Sequence, residues 1–190
     1  SNSGVLDWSK SVWTQSIQPY EKAFGQDLDG DGSQGLNLGN LSSVDTDTYS
    51  DVLKKDSNGN FFILTEAGEH IAITESWGGS AQFDYSDQWA GGSWSSKAVA
   101  VEDVTYTNSD GNSVNGYVIA IKNSGSYGSD QFTDWELRYT DDKGVIDWNN
   151  SIWMQSIKSK ESLFGTNAAQ ADLDGDGAFG LSADALTAVS

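Results

Sequence analysis

The chain has 190 residues, of which 37% are hydrophobic and 12% aromatic, and it carries a formal net charge of −18 with no cysteine. The lack of cysteine excludes a disulfide framework, zinc–thiolate sites and a cysteine nucleophile. No cluster of lysine and arginine occurs, so we expect no nucleic-acid partner. No apolar run reaches the roughly 18 residues that a membrane-spanning helix needs, so we expect no membrane insertion.

The first predicted element is an amphipathic helix over residues 5–24. Asp7 is a suitable N-cap, Pro19 would interrupt or kink the helix, and Gly25 is a natural stop. The apolar residues fall at helical spacing, which predicts one face packed into a core. These residues are Trp8, Val12, Trp13, Ile17, Tyr20 and Phe24.

An Asp-rich stretch follows, which we call the first acidic loop (residues 27–35). It begins D-L-D-G-D-G. Three carboxylates at alternate positions followed by glycine form the front half of a calcium-binding loop. The pattern predicts Asp27, Asp29 and Asp31 as side-chain ligands and the carbonyl oxygen of Ser33 as a further ligand. A plain Asp/Gly turn is disfavoured because such carboxylates repel one another without a cation.

This loop is not a complete EF-hand. An EF-hand carries a bidentate glutamate at the twelfth loop position, which Leu38 occupies here. Another acid or water must therefore complete the site. Glu21, in the last turn of the predicted helix, is the candidate, and the alternative for Glu21 is a solvated acid at a helix end. Because no EF-hand pairing is evident, we expect a structural ion rather than a regulatory switch.

Residues 39–144 predict a mostly antiparallel β-domain. Turn signals at 56–60, 67–69, 109–112, 124–125 and 141–144 separate runs that alternate apolar and polar residues. The predicted strands are 61–65, 70–74, 97–107, 116–122 and 134–140. The short connections favour hairpins, and we interpret 56–60 and 110–112 as plain hairpin turns rather than further calcium loops.

One aromatic stretch stands out inside this region. The segment from Trp77 to Trp94 combines three tryptophans, Phe83 and Tyr85 with glycine and serine. If these rings are exposed in a loop, they can stack on sugars. If they are buried, they cover one face of a sheet, which is the more usual place for large aromatic side chains.

The end of the chain repeats its beginning. Residues 145–164 match residues 5–24 at half of the aligned positions, and this predicts a second helix with Asp147 as N-cap and Gly165 as stop. Its apolar face would comprise Trp148, Ile152, Trp153, Ile157 and Phe164.

A second acidic loop (residues 172–180) follows that segment, after the inserted residues 166–171. It predicts calcium ligands from Asp172, Asp174 and Asp176 and from the carbonyl oxygen of Ala178. Ala183 occupies the twelfth position, so Glu161 is the candidate to complete this site, and the alternative for it is again a solvated acid at a helix end. Asp184 is a weaker candidate.

Nothing in the sequence selects a catalytic site. His70 is the only histidine and has no serine or cysteine elbow nearby. Acidic residues that can pair as glycosidase carboxylates are present, as in any acidic β-protein, and none is singled out. They are Glu66, Glu75, Glu102 and Glu136. We therefore predict no enzyme activity.

The order of motifs resembles the tryptophan-rich repeat domain of large bacterial, often cyanobacterial and haemolysin-like, calcium-binding exoproteins. The similarity spans residues 49–181, with residues 5–36 resembling the end of an upstream copy. The motifs in chain order are Gly116-Tyr117-x-x-Ala120-x-Lys122, Asp130 to Trp135, Asp141-x-x-Gly144, Gln155-Ser156, Glu161, Phe164 and Asp172 to Gly177. The resemblance implies secretion or cell-surface display in tandem arrays, with no known catalytic activity.

Together these observations predict an α+β protein, a mostly antiparallel β-domain flanked by two helix–calcium-loop repeats. Residues 1–38 would be the tail of a preceding repeat, 39–144 the β-domain, and 145–190 the helix and loop that close the repeat. The expected function is a non-catalytic module binding two calcium ions in a secreted or cell-surface spacer or adhesive array. Its partners would be neighbouring repeats or surface glycans. The alternative is a carbohydrate-binding module that uses the Trp77–Trp94 segment.

Overall fold

The computed structural model describes residues 8, 11, 17–30, 32–35, 38–45 and 47–181. These residues form two antiparallel sheets connected to short helical turns. Among them, no helix is both long enough and apolar enough to cross a membrane.

The smaller sheet contains four short strands that pair in chain order. They are β1 (Ser42–Ser43), β2 (Val52–Lys55), β3 (Phe61–Leu64) and β4 (His70–Ala72). The turn between β2 and β3 closes on Asp56, whose carboxylate accepts the backbone N–H groups of Asn58 and Asn60 at 2.8 and 2.9 Å. The interpretation of 56–60 as a plain hairpin turn is confirmed.

The larger sheet is a five-stranded meander in which each strand pairs with the next. Its strands are β5 (Tyr85–Trp89), β6 (Gly92–Thr107), β7 (Ser113–Tyr127), β8 (Asp130–Asp141) and β9 (Ile146–Met154). The central strands β6, β7 and β8 have 16, 15 and 12 residues. They are much longer than the strands of the smaller sheet, so the smaller sheet covers only part of one face.

Both faces of the larger sheet carry a core. Ile119 and Ile121 of β7 face the first core, which lies between the two sheets. Val118 and Ala120 face the second core, where Ile157, Phe164 and Leu173 of the C-terminal segment cover the opposite face. The period-two alternation of a strand explains how one apolar run serves both cores.

Helical structure is limited to short turns. The helix α1 (Gln18–Phe24) has seven residues and α2 (Ala168–Ala171) has four. Two 3₁₀ turns span Leu38–Asn40 and Lys158–Leu163.

The predicted α+β arrangement with flanking helix–calcium-loop repeats is therefore wrong, because the protein is mostly antiparallel β with very short helices. The predicted second helix begins as strand β9, so Asp147 lies in a strand and caps no helix. The apolar residues of 145–154 fit a strand as well as a helix, and pairing with β8 decides between them. Asp7, Val12 and Trp13 lie outside the described residues, and the predicted domain boundaries stay predictions.

The predicted burial of the aromatic stripe is also wrong in large part. Trp8, Phe24 and Trp153 are 77%, 65% and 61% exposed, and Trp148 is exposed as well. Ile157 and Phe164 are fully buried, as predicted. The missing long helix explains the difference, since a strand and a short turn place these rings on different surfaces.

The predicted strands between 61 and 140 are confirmed, although β6, β7 and β8 extend beyond their predicted ends. The Trp77–Trp94 segment is not simply a loop, since it contains β5 and the start of β6. Its expected burial holds for Phe83, whereas Trp77, Tyr85, Trp89 and Trp94 are exposed.

Candidate metal centres

The first acidic loop folds around the carboxylate of Glu21. Helix α1 ends at Phe24 and is capped by Gly25, which adopts a left-handed conformation with φ of 64°. Glu21 lies one turn earlier and is fully buried. Its Oε1 accepts the N–H groups of Leu28 and Asp29 at 2.6 and 3.1 Å, and its Oε2 accepts that of Gly35 at 2.7 Å.

The first aspartate of the loop accepts hydrogen bonds from backbone N–H groups later in the same loop. The carboxylate of Asp27 accepts the N–H of Gly30 at 2.7 Å on one oxygen and that of Gly32 at 2.9 Å on the other. Gly30, Gly32 and Gly35 all have positive φ, at 77°, 89° and 95°. Glycine is needed there because side chains are strained in the left-handed region, which explains the D-x-D-G-D-G-x-x-G pattern.

These contacts gather three carboxylates. Glu21, Asp27 and Asp29 each offer an oxygen, and these oxygens lie within 4.8 Å of one another, a group that can hold a metal ion. Ser33, at the seventh loop position, is half-buried. Asp31, the third predicted side-chain ligand, lies outside the described residues.

The second acidic loop repeats this arrangement around Glu161. The Oε1 of Glu161 accepts the N–H of Leu173 at 3.2 Å, and Oε2 accepts that of Gly180 at 2.8 Å. These donors occupy the same loop positions as Leu28 and Gly35. Asp172 accepts the N–H groups of residues 175, 176 and 177 at 2.8–3.1 Å.

Glu161, Asp172 and Asp174 form the second three-carboxylate group within 4.8 Å. Asp176 is engaged differently, since its carboxylate forms an ion pair with Lys158 and accepts the N–H of Ala178 at 2.8 Å. The Lys158 contact lowers the pKa of Asp176. A metal ion that recruits Asp176 as a fifth-position ligand would have to displace Lys158.

The two glutamates differ in their electrostatic surroundings. The hydrogen bond from Gly35, helped by those from Leu28 and Asp29, lowers the pKa of Glu21 despite its burial. Burial raises the pKa of Glu161, and the hydrogen bonds from Gly180 and Leu173 offset this only in part. With similar carboxylate–amide geometry, the pKa of the glutamate is therefore lowered in one loop and raised in the other.

The position of these glutamates excludes one of the sequence-based alternatives. Glu21 and Glu161 are 0% and 1% exposed, so neither is a solvated acid at a helix end. Each carboxylate organises its loop by accepting backbone N–H groups and also lies within the acid group. Asp184 and Ala183 lie outside the described residues.

The sequence did not indicate two other features. Asp51, Glu102 and Asp103 form a third group of acids whose oxygens lie within 4.8 Å of one another. No sequence motif predicts this group, because Asp51 is distant in sequence from the other two. Several exposed aromatic side chains also share one face of the larger sheet. The alternation of large and small residues in β5 and β6 was the available signal for this face.

Other candidate residues have structural partners. Glu136 forms an ion pair with Arg138, and Glu75 accepts the indole N–H of Trp148 at 2.6 Å.

The acid groups show that the chain can hold metal ions, without specifying which metal. Comparisons with protein-family models, with curated proteins and with solved structures find no match to this chain.

Proposed function

We propose that this chain is a non-catalytic, calcium-binding module of a large secreted or cell-surface protein, with one calcium ion in each acidic loop. One observation carries the proposal. Each loop is wrapped around a buried glutamate so that this glutamate and the first and third loop aspartates come within 4.8 Å of one another.

The chemistry of the loops favours calcium. Calcium takes six to eight oxygen ligands at about 2.3–2.6 Å and tolerates irregular geometry, whereas magnesium demands a near-ideal octahedron. Carboxylates and carbonyl oxygens are the groups these loops offer, and no cysteine is present. A divalent ion also relieves repulsion among the gathered carboxylates, which is costly in a chain of net charge −18.

The surroundings of the first loop support a role in an array. Phe24 and Leu28 are 65% and 45% exposed, whereas their counterparts Phe164 and Leu173 are buried in the second core. We infer that a neighbouring unit covers Phe24 and Leu28 as this unit covers Phe164 and Leu173. The partner is therefore a β-domain of the same kind.

Calcium binding is tested on the full chain after chelator treatment, by native mass spectrometry and calorimetric titration. The double variant Asp27→Asn/Asp172→Asn should bind two fewer calcium ions than the unchanged chain. Asp110→Asn, which removes one exposed acid from a hairpin turn, is the matched control and should bind as many as the unchanged chain. Equal calcium binding by the double variant and the control would refute the proposal for the loops.

A second candidate function is glycan binding by the exposed aromatic face of the larger sheet. Register places Trp94 opposite Gly125, which in turn lies opposite Phe132, and Trp153 lies opposite Glu136 on the adjoining strand. Strand periodicity puts further rings on the same face. The exposed rings of this face are Tyr85, Trp89, Trp94, Tyr127, Phe132 and Trp153.

The opposite face of the same strands is polar, with Ser93, Ser95, Ser124, Ser126 and Thr133. Because the exposed aromatic side chains lie together on one face, they indicate an interaction surface. Tyr85 and Trp94 stack at 6.4 Å with an interplanar angle of 17°, which presents parallel rings to a ligand. The half-buried Asp134, which accepts the side-chain N–H groups of Asn123 and Trp153 at 2.9 and 3.0 Å, adds a carboxylate that suits the hydroxyls of a neutral sugar.

Glycan-array binding by the full chain tests this candidate. Trp94→Ala should abolish binding, whereas Trp77→Ala should leave binding intact, because Trp77 is exposed in a turn outside the larger sheet. If no glycan binds, or if both variants bind as the unchanged chain does, the aromatic face is not a sugar site.

A further inference from the structure

A group of five acids, three of them buried, lies where the two sheets meet. The segment between β1 and β2 runs beside β6, along the edge that β5 leaves unpaired beyond Ser96. It contributes Asp45, Asp47 and Asp51, and β6 contributes Glu102 and Asp103. We call these five residues the inter-sheet acid cluster.

The acids are buried to an unusual degree. Asp47, Asp51 and Glu102 are 7%, 5% and 1% exposed. Oxygens of Asp51, Glu102 and Asp103 lie within 4.8 Å of one another. Asp and Glu are almost never this buried unless they are paired or coordinate a metal ion.

Hydrogen bonds hold these carboxylates in place but leave some oxygens bare. Glu102 accepts the N–H and hydroxyl of Ser50 at 3.0 and 2.7 Å, and Asp51 accepts the N–H of Glu66 at 3.0 Å. The Oδ2 atoms of Asp47 and Asp51 and the Oδ1 atom of Asp45 are buried and have no hydrogen-bond partner. Buried polar atoms without partners are costly, which points to a missing ligand.

The distribution of ion pairs also indicates a missing cation. Within the described residues, the ion pairs join other acids to Lys55, Arg138 and Lys158, and none includes a member of the cluster.

We propose that the inter-sheet acid cluster is a third cation site, which takes calcium through oxygens of Asp51, Glu102 and Asp103, with Asp47 and Asp45 adjoining. The argument is independent of the acidic loops, because it depends on buried oxygens without partners rather than on a loop motif. The cluster contains no D-x-D-x-D-G pattern, so the ligands come together only through the packing of the two sheets.

An ion at this position would cross-link the fold. Asp51 directly precedes β2 of the smaller sheet, whereas Glu102 and Asp103 lie in β6 of the larger one. The same segment reaches α2, since Thr48 donates its N–H to the carbonyl oxygen of Gln170 at 3.1 Å. Calcium here would therefore stabilise the union of the two sheets, whereas calcium in the acidic loops would order segments outside that junction.

The test compares Asp51→Asn with the control Asp110→Asn in the full chain, by native mass spectrometry with added calcium. Asp110→Asn should keep all ions of the unchanged chain, and Asp51→Asn should lose one. With EGTA, Asp51→Asn should melt at a higher temperature than the unchanged chain, because an amide can donate to the neighbouring bare oxygens. The Asp27→Asn/Asp172→Asn variant should still bind one ion, so that failure of the loops and failure of the cluster are told apart.

Equal ion counts for Asp51→Asn and Asp110→Asn would overturn the proposal. If Asp51→Asn does not fold, Asp103→Asn decides, because Asp103 is exposed and lies on the rim of the cluster. Terbium luminescence excited through tyrosine gives a second measurement, since Tyr117 lies directly opposite Asp103 on the neighbouring strand. Loss of this emission in Asp103→Asn supports the site, and unchanged emission contradicts it.

Discussion

The two acidic loops are built alike inside and differ outside. In both, a buried glutamate accepts N–H groups from the second and ninth loop positions, and the first aspartate accepts those of the fourth and sixth. The second loop adds Leu173 to the second core, whereas Leu28 of the first loop remains exposed. The loop sequence therefore specifies the loop conformation, and burial in a core is a separate contribution that only the second loop receives.

The largest contrast is expected from the aromatic residue that precedes each loop. Phe164→Ala should lower the free energy of unfolding by about 3–5 kcal/mol, because it leaves a cavity in the second core. Phe24→Ala should change it by about 0.5 kcal/mol or less, because Phe24 is exposed. Urea denaturation of both variants in calcium checks the pair, and equal losses would show that the loops are packed alike.

Substitutions of the glycines after the two helical turns should lower the free energy of unfolding for different reasons. Gly165→Ala places a Cβ at 2.8 Å from that of Gln170 and should cost about 1–3 kcal/mol through overpacking. Gly25→Ala meets no atom within 4 Å but has φ of 64°, which costs about 1–2 kcal/mol through backbone strain.

Asparagine separates these two causes in thermal unfolding experiments. Asn tolerates the left-handed conformation, so Gly25→Asn should recover most of the stability that Gly25→Ala loses. Gly165→Asn should recover none, because a larger side chain worsens the overlap with Gln170. Rescue at both positions, or at neither, would contradict the distinction.

The pKa values of the two glutamates should separate in the chelator-treated chain. The pKa of Glu161 should lie above the ordinary value for Glu because of burial, and that of Glu21 below it because of its amide hydrogen bonds. Ionised Glu21 stabilises the fold above its unfolded pKa, and this contribution is lost as the pH falls through its lowered pKa. The contribution of neutral Glu161 is present below its unfolded pKa and is lost as the pH rises through its raised pKa. Carboxyl-carbon NMR titration measures both, and a reversed order would contradict the assignment.

The smallest expected effect concerns Lys158, which occupies the position of Gln18 in the first copy. Lys158→Gln should change stability little in EGTA, because its ion pair with Asp176 is exposed to solvent. It should nevertheless tighten calcium binding by the second loop, since the lysine no longer competes for Asp176. Calorimetry with the Asp27→Asn/Asp51→Asn background isolates that loop, and weaker binding would show that Lys158 does not compete.

Local signals in the sequence predicted part of the fold. Alternating apolar residues and Asn/Gly turns indicated the hairpins of residues 61–140, because such turns close through contacts a few residues apart. The shared register of Glu21 and Glu161 indicated their place at the loops for the same reason. Each glutamate reaches its loop through one helical turn and a tight Gly-rich wrap.

The remaining features could not be predicted because they depend on contacts between residues that are far apart in the sequence. Residues 145–154 are a strand because Ile152 and Met154 pair with Leu137 and Trp135 of β8, which helical spacing of the same apolar residues does not reveal. The inter-sheet acid cluster was missed because Asp51 and Glu102 meet only after the sheets pack. Long-range packing also explains why the two copies of the repeated sequence differ in exposure. Phe164 and Leu173 pack into the second core, whereas Phe24 and Leu28 remain exposed.

Calcium binding by the acidic loops is tested most directly by anomalous diffraction from crystals of the full chain grown with calcium. We predict a peak in each loop at about 2.3–2.6 Å from carboxylate oxygens of Asp27 and Asp29 in one and of Asp172 and Asp174 in the other. Glu21 and Glu161 should remain buried, each accepting backbone N–H groups and lying beside the ion as the third member of its acid group. Well-ordered loops with no anomalous peak at saturating calcium would contradict the proposal and leave the glutamates as organisers of metal-free turns.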